Sequence, residues 1–175
     1  MTLADLGRVA WFEAEPSALE REQRAMPLAA PDLEWAGDLP AGGWRGTVPV
    51  WPFERPTPPE LEAFLGADRL IVQVEYSQAH PMVPPSVHPL DPEPSWMVRT
   101  HHTWHVNGDG SLCLMQAADD WNPTDTAADL VVKAAAWFLE FQLMTRGVLR
   151  AMTERGLVHD HSLDHLLSPY IRCVA

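Results

Sequence analysis

With 175 residues and a formal net charge of -12, the chain is sized for one domain, residues 1–175, and repels nucleic-acid phosphates and anionic lipid headgroups. Two cysteines, Cys113 and Cys173, are too few for a disulfide-stapled scaffold and are read as thiols. No apolar run reaches the length that crosses a bilayer, and Met1 to Glu15 lacks the basic start and apolar core of a secretion signal. A cytoplasmic protein with no membrane and no nucleic-acid partner is the expectation.

Leu3, Leu6, Val9 and Ala10 fall at helical spacing, and Pro16 separates them from a second helical run, Ala18 to Met26. From Pro27 to Pro59 the chain is broken by proline and glycine. Leu33 to Trp35 and Trp44 to Trp51 suit short strands of an antiparallel meander, with Gly42-Gly43 as a turn between them. Pro58 to Leu65 has room for one or two helical turns. Arg69 to Tyr76 is the clearest strand, because Leu70, Val72, Val74 and Tyr76 alternate with more polar residues and define a core face.

His80-Pro81-Met82-Val83-Pro84-Pro85 is neither helix nor central strand, since its prolines remove donors and push their predecessors to extended backbone. An ordered, extended crossing is expected there. Asp91 to Cys113 carries few regular signals until the turn Gly108-Asp109-Gly110, which leads into Leu112-Cys113-Leu114. The strongest helix starts at Thr126, which caps toward Asp129, and buries Leu130, Ala134, Trp137, Phe138, Phe141 and Met144. Gly147 ends or bends it. A further helical stretch from Val148 to Arg155 stopping at Gly156, and a short final helix or irregular cover from Leu157 to Ala175, complete the chain.

Cys113 between two leucines reads, taken alone, as a small buried hydrophobe. Its surroundings change that reading. His105-Val106-Asn107, a short turn, Gly110-Ser111-Leu112-Cys113-Leu114, then Trp121-Asn122-Pro123 and a capped helix stand in one order. This stretch resembles the active-site segment of ubiquitin-conjugating enzymes, which carry His-Pro-Asn, a turn, Gly-x-hydrophobe-Cys-Leu, Trp-x-Pro and a long buried helix. Upstream, His80 to Pro85 resembles the family's Tyr-Pro-x-x-Pro-Pro crossing after its third strand. The resemblance covers residues 17–147 and leaves an N-terminal segment, 1–16, and a tail, 157–175, outside it. Val106 replaces the tripeptide's proline, the step from Asn107 to Cys113 is shortened, His80 replaces the crossing's tyrosine, and Met115 stands where an acidic residue is frequent.

The resemblance implies an α+β fold with a four-stranded antiparallel meander, an N-terminal helix and C-terminal helices. It also implies a ubiquitin-like protein, or another protein's C-terminus, held as a thioester on Cys113 and transferred to an amine. Thiolates are good nucleophiles and good leaving groups, so this exchange needs no strong base beside the sulfur. Asn107 is the candidate donor to the oxyanion formed on attack, or else it ties its own loop. Asp119 and Asp120 are candidates to orient or deprotonate an incoming ammonium, with solvated loop carboxylates as the plainer reading. His105 is expected to hold the turn, and Trp121 to anchor the loop.

No G-x-G-x-x-G loop is present, so adenylation falls to an activating enzyme on a separate chain. No cofactor is expected. The divergent, alanine- and proline-rich remainder resembles stand-alone conjugating-type proteins of bacterial antiphage operons, of the CBASS or ubiquitin-like conjugation kind. Their cargo is a ubiquitin-like protein or the C-terminus of a nucleotidyltransferase. Three other readings compete: a non-catalytic binding module of the same fold, a zinc protein using His101, His102, His105, His159, His161, His165 and the cysteines, and a hydrolase pairing Cys113 with His101, His102 or His105.

Overall fold

The structure is a computed structural model and describes residues 9–99, 101–115, 121–154 and 156–170. Helix α1 (Trp11–Ala14) is followed at once by α2 (Pro16–Ala29), with Pro16 in the first turn of α2, where a missing N–H removes no helical bond. Of the expected early helix, Leu3 and Leu6 lie outside the described residues, while Val9 and Ala10 are not helical and lead into α1. Ala18, Glu22 and Met26 form the buried side of α2, one helical face at four-residue intervals.

Strands β1 (Leu33–Trp35), β2 (Gly43–Thr47), β3 (Ile71–Glu75) and β4 (Ser86–Asp91) form one antiparallel sheet in sequence order, so the fold is α+β with a four-stranded meander. Trp44 pairs with Trp35 on one side and Val74 on the other, and Val74 pairs with Val87. Gly42 has φ 71, and a Cβ there would come within 2.4 Å of the Trp35 ring, so the turn into β2 requires glycine twice over. The alternation read in β3 holds: Leu70, Val72, Val74 and Tyr76 are all buried.

Three expectations are corrected here. The crossing expected to be extended from His80 begins instead with turns over residues 78–82, because the His80 amide finds the Ser77 carbonyl at 3.1 Å and the Met82 and Val83 amides find the Ala79 carbonyl at 2.9 and 3.2 Å. The strand expected to run to Trp51 stops at Thr47, two residues before Pro49 and its missing donor, and Trp51 instead donates its indole N–H to the Arg55 carbonyl at 2.9 Å. Residues 148–154 are not helical. Gly147, at φ 72, ends the preceding helix, and the Met152 and Thr153 amides are taken by the Thr103 carbonyl and the Glu140 carboxylate. The fourth strand carries Pro89, which is tolerated in an edge strand, and β4 is one of the two edge strands.

Between β2 and β3 the short helix α3 (Leu61–Leu65) buries Leu61, Phe64 and Leu65. After β4 come α4 (Trp96–Arg99), a 3-10 turn at His102–Trp104, and α5 (Ala127–Thr145), with α6 (Gly156–His159) and a 3-10 turn (His161–Leu166) beyond. Thr126 and Asp129 form a capping box at the start of α5, and 15 of its 19 residues are buried. Apolar nearly all round, α5 is the central post of the core, packed against α2, α6 and the sheet. Among the described residues no helix is long and apolar enough to cross a membrane.

Candidate active site

The segment bearing Cys113 is a small hairpin stitched to the sheet. Val106 and Leu112 bridge antiparallel, Asn107 N–H donates to the Ser111 carbonyl at 2.8 Å, and Cys113 N–H donates to the His105 carbonyl at 2.8 Å. Leu112 N–H in turn donates to the Val87 carbonyl of β4 at 2.8 Å, so the hairpin extends the sheet edge. Leu112 is buried and its successor is turned the other way. Cys113 is a free, exposed thiol, which overturns the buried-hydrophobe reading.

Side chains fix the turn of this hairpin. The Asp109 carboxylate accepts Ser111 N–H at 2.9 Å and its hydroxyl at 2.7 Å, and these bonds hold the carboxyl below its ordinary range. The Asn107 side-chain amide donates to the same Ser111 oxygen at 2.9 Å. Asn107 thus ties its own loop through one N–H and retains a second. Gly110 has φ 90 and lies under the Arg99 guanidinium, where a Cβ would approach within 2.9 Å. His105 adopts φ 50, a left-handed conformation for a non-glycine residue at the foot of the hairpin.

Cys113 opens onto a groove of about 940 Å³ between the hairpin, α5 and the 152–159 segment. His105, Lys133, Trp137, Glu140, Thr153 and His159 are among the residues that line it. Glu140 builds the far wall: its buried carboxylate accepts Thr153 N–H at 2.7 Å, the Thr153 hydroxyl at 2.9 Å and Leu157 N–H at 2.9 Å. Burial nevertheless pushes its pKa up, those hydrogen bonds opposing the shift. Lys133, Ala136, Trp137 and Glu140 share one face of α5 at spacings of three, four and seven residues, and all four line the groove.

The sulfur's hydrogen-bond partner is the Met115 carbonyl at 3.8 Å, a weak thiol contact, and among the described residues no imidazole is bonded to it. That removes the preformed cysteine–histidine pair of a hydrolase. His101 and His102 are exposed and do not line the groove; His105 does, and it reaches Cys113 through its backbone carbonyl. Among the described residues no three His, Cys, Asp or Glu side chains are placed to hold a metal, so the zinc reading fails there. The i, i+4 pairs His101–His105 and His161–His165 would share a face only in an α-helix, and the first pair instead flanks a 3-10 turn while the second sits in one. Asp119, Asp120 and Cys173 lie outside the described residues.

Downstream of the Cys113 hairpin the chain is re-anchored on the His80–Pro85 segment. Trp121 donates its indole N–H to the Pro81 carbonyl at 2.8 Å, and Arg21 of α2 donates to the Pro123 carbonyl at 2.9 Å. Beneath this anchor His80 is buried against the Trp11 and Tyr76 rings, with centroids 4.3 and 4.6 Å away, and approaches the Glu22 carboxylate at 3.5 Å. The Glu22 carboxylate also accepts Ala127 N–H at 3.0 Å, supplying an orphan amide of α5 with a partner. Burial pushes the Glu22 pKa up to about 7 and the His80 pKa down to about 4. Desolvation, the first cause of both shifts, favours neutral forms, so the 3.5 Å approach is not an ion pair near neutral pH.

Of the described residues expected at the site, Cys113 and His105 line the groove and Asn107 does not, and the groove's far wall was not anticipated. Glu140 was signalled only as a lone carboxylate inside the apolar run from Ala134 to Met144, and Lys133 only by its position seven residues before it. No family model, no curated protein and no solved structure matches the chain.

Proposed function

We propose that the chain is an acyl carrier of the ubiquitin-conjugating type: Cys113 accepts a protein C-terminus as a thioester and passes it to an amine. The observation that carries this reading is the exposed thiol lining a groove of about 940 Å³, on a hairpin hydrogen-bonded to the sheet. The meander, the proline crossing and the long buried helix follow one another as they do in that family, which supports its fold here. A thiol without a bonded base suits exchange between thioesters, where the leaving thiolate needs no protonation.

In this reading Asn107 uses its second amide N–H on the oxyanion, a donor of the kind whose removal elsewhere costs about 3–4 kcal/mol. His105 positions the cysteine through its carbonyl, and Asp119 or Asp120 orients the acceptor ammonium. The partners are an activating enzyme on a separate chain and, as cargo, a ubiquitin-like protein or a nucleotidyltransferase C-terminus. A cytoplasmic role in bacterial antiphage defence fits those partners. Affinity purification of the Cys113→Ala protein from cells expressing its neighbouring genes is expected to recover an adenylating activating enzyme together with one of these cargoes. Recovery of neither would count against the reading.

A further inference from the structure

Lys133 is the single lysine in 175 residues, whose other eleven strongly basic side chains are all arginine. It is half-buried on the face of α5 that lines the Cys113 groove, and no carboxylate of the described residues pairs with it. The distinction between the two cations matters in a chain that holds an activated acyl group. A guanidinium stays protonated and is no acyl acceptor, whereas a lysine amine that loses its proton attacks a thioester. Every strongly basic side chain but one is therefore inert toward Cys113 chemistry, and the exception shares the groove with the sulfur.

We propose that Lys133 is the acceptor for the acyl group carried on Cys113, so that a loaded chain discharges onto itself and becomes joined to its cargo by an amide bond. This rests on the thioester reading. In the step, the ammonium releases a proton to water and the free amine attacks the thioester carbonyl. The C–N bond forms as the C–S bond breaks, the nitrogen gives up its second proton to water, and Cys113 leaves as a thiolate that takes up a proton. No oxidant or nucleotide is consumed. The joined tail then lies in the groove beside Cys113, so each chain self-modifies once.

The test uses a fluorescent short peptide ending in Gly-Gly as its mercaptoethanesulfonate thioester, which loads a reactive cysteine without an activating enzyme. Wild-type protein is expected to show a thiol-labile adduct that converts to a hydroxylamine-resistant one. Peptide mapping should place the latter on Lys133 and not on the α-amine, and its rate should be unchanged on dilution. In Lys133→Arg the labile adduct should accumulate, with resistant product formed about tenfold or more slowly, and Cys113→Ala should form neither. A labile adduct on Cys113 that only hydrolyses, leaving Lys133 unmodified, would overturn the acceptor assignment and leave the thioester reading standing. Resistant adduct on Lys133 in Cys113→Ala at the wild-type rate would overturn transfer from the cysteine. Failure of Cys113 to load faster than a free cysteine peptide would remove both.

Discussion

The Glu140 carboxylate lies 2.7 Å from the Thr153 amide nitrogen, and through this bond the central helix holds the non-helical segment that closes the groove. Glu140→Ala strips partners from the Thr153 and Leu157 amides, each at a cost of about 1–3 kcal/mol if left unsatisfied. Hydrogen exchange is expected to accelerate selectively over residues 152–157, with the interior of α5 remaining slow. Uniform acceleration along the chain would show that Glu140 serves global stability rather than this wall.

The buried Glu22 gives stability a definite pH dependence. Its folded pKa of about 7 lies above the ordinary value of 4.5, so the folded state binds the extra proton and stability falls as pH rises through that window. His80, lowered to about 4 from 6.5, contributes the opposite sign, and its gain is mostly made between pH 4 and 6.5 with a remainder accruing just above. Between pH 6.5 and 8 the Glu22 loss exceeds the His80 gain by about half a kcal/mol or less, or about 1–2 °C in Tm for a chain of this size. The charged and titratable groups around Glu22 are Arg21, Tyr76, His80 and Asp129. Calorimetry of Glu22→Gln, which keeps an acceptor for Ala127, should show a much shallower fall. Glu140, raised in the same direction, leaves a remainder. A wild-type Tm that climbs from pH 6.5 to 8 would contradict this assignment.

Asn107 and Ser111 separate two roles. If the free amide N–H serves the oxyanion, Asn107→Ala should slow acyl transfer by about 10²–10³. Ser111→Ala, which removes only the loop tie, should slow it by about tenfold or less and shift Tm by a similar few degrees. Equal losses in the two variants would assign Asn107 to the loop alone.

Arg55 fastens the other side of the same C-terminal segment. Its guanidinium lies 4.7 Å from the ring centroids of both Trp51 and Phe53, bonds Asp164 through two nitrogens, and donates to the Leu157 carbonyl. A lysine there keeps the charge and loses the fork and the stacking, so Arg55→Lys is expected to cost about 1–3 kcal/mol in denaturant titration. A change below about 0.5 kcal/mol would mean that the ion pair is solvated and weak.

Much of the fold was legible because local signals agreed. The alternation from Leu70 to Tyr76, Pro16 at a helix start and the Thr126–Asp129 cap each name their element from short-range chemistry alone. Strand β4 was hidden, since it follows Pro84 and Pro85 directly and itself carries Pro89, which only a position at the sheet edge makes acceptable. The helix expected over residues 148–155 failed for the converse reason: its amides find tertiary partners at Thr103 and Glu140, which no local propensity encodes. At the site, the turn and the cysteine were readable from order and spacing. Which way the sulfur faces depended on the Val87–Leu112 bond, a contact between segments 25 residues apart.

The most direct measurement is intact-protein mass spectrometry of the wild-type and Cys113→Ser proteins, each co-expressed with its neighbouring genes. The wild type is expected to carry a protein-sized adduct, released by a thiol reagent while it sits on Cys113 and resistant once passed to Lys133, and the serine form the same mass in a thiol-resistant linkage that maps to residue 113. An unmodified mass for both proteins, or an adduct that persists unchanged in Cys113→Ala, would contradict acyl transfer through Cys113.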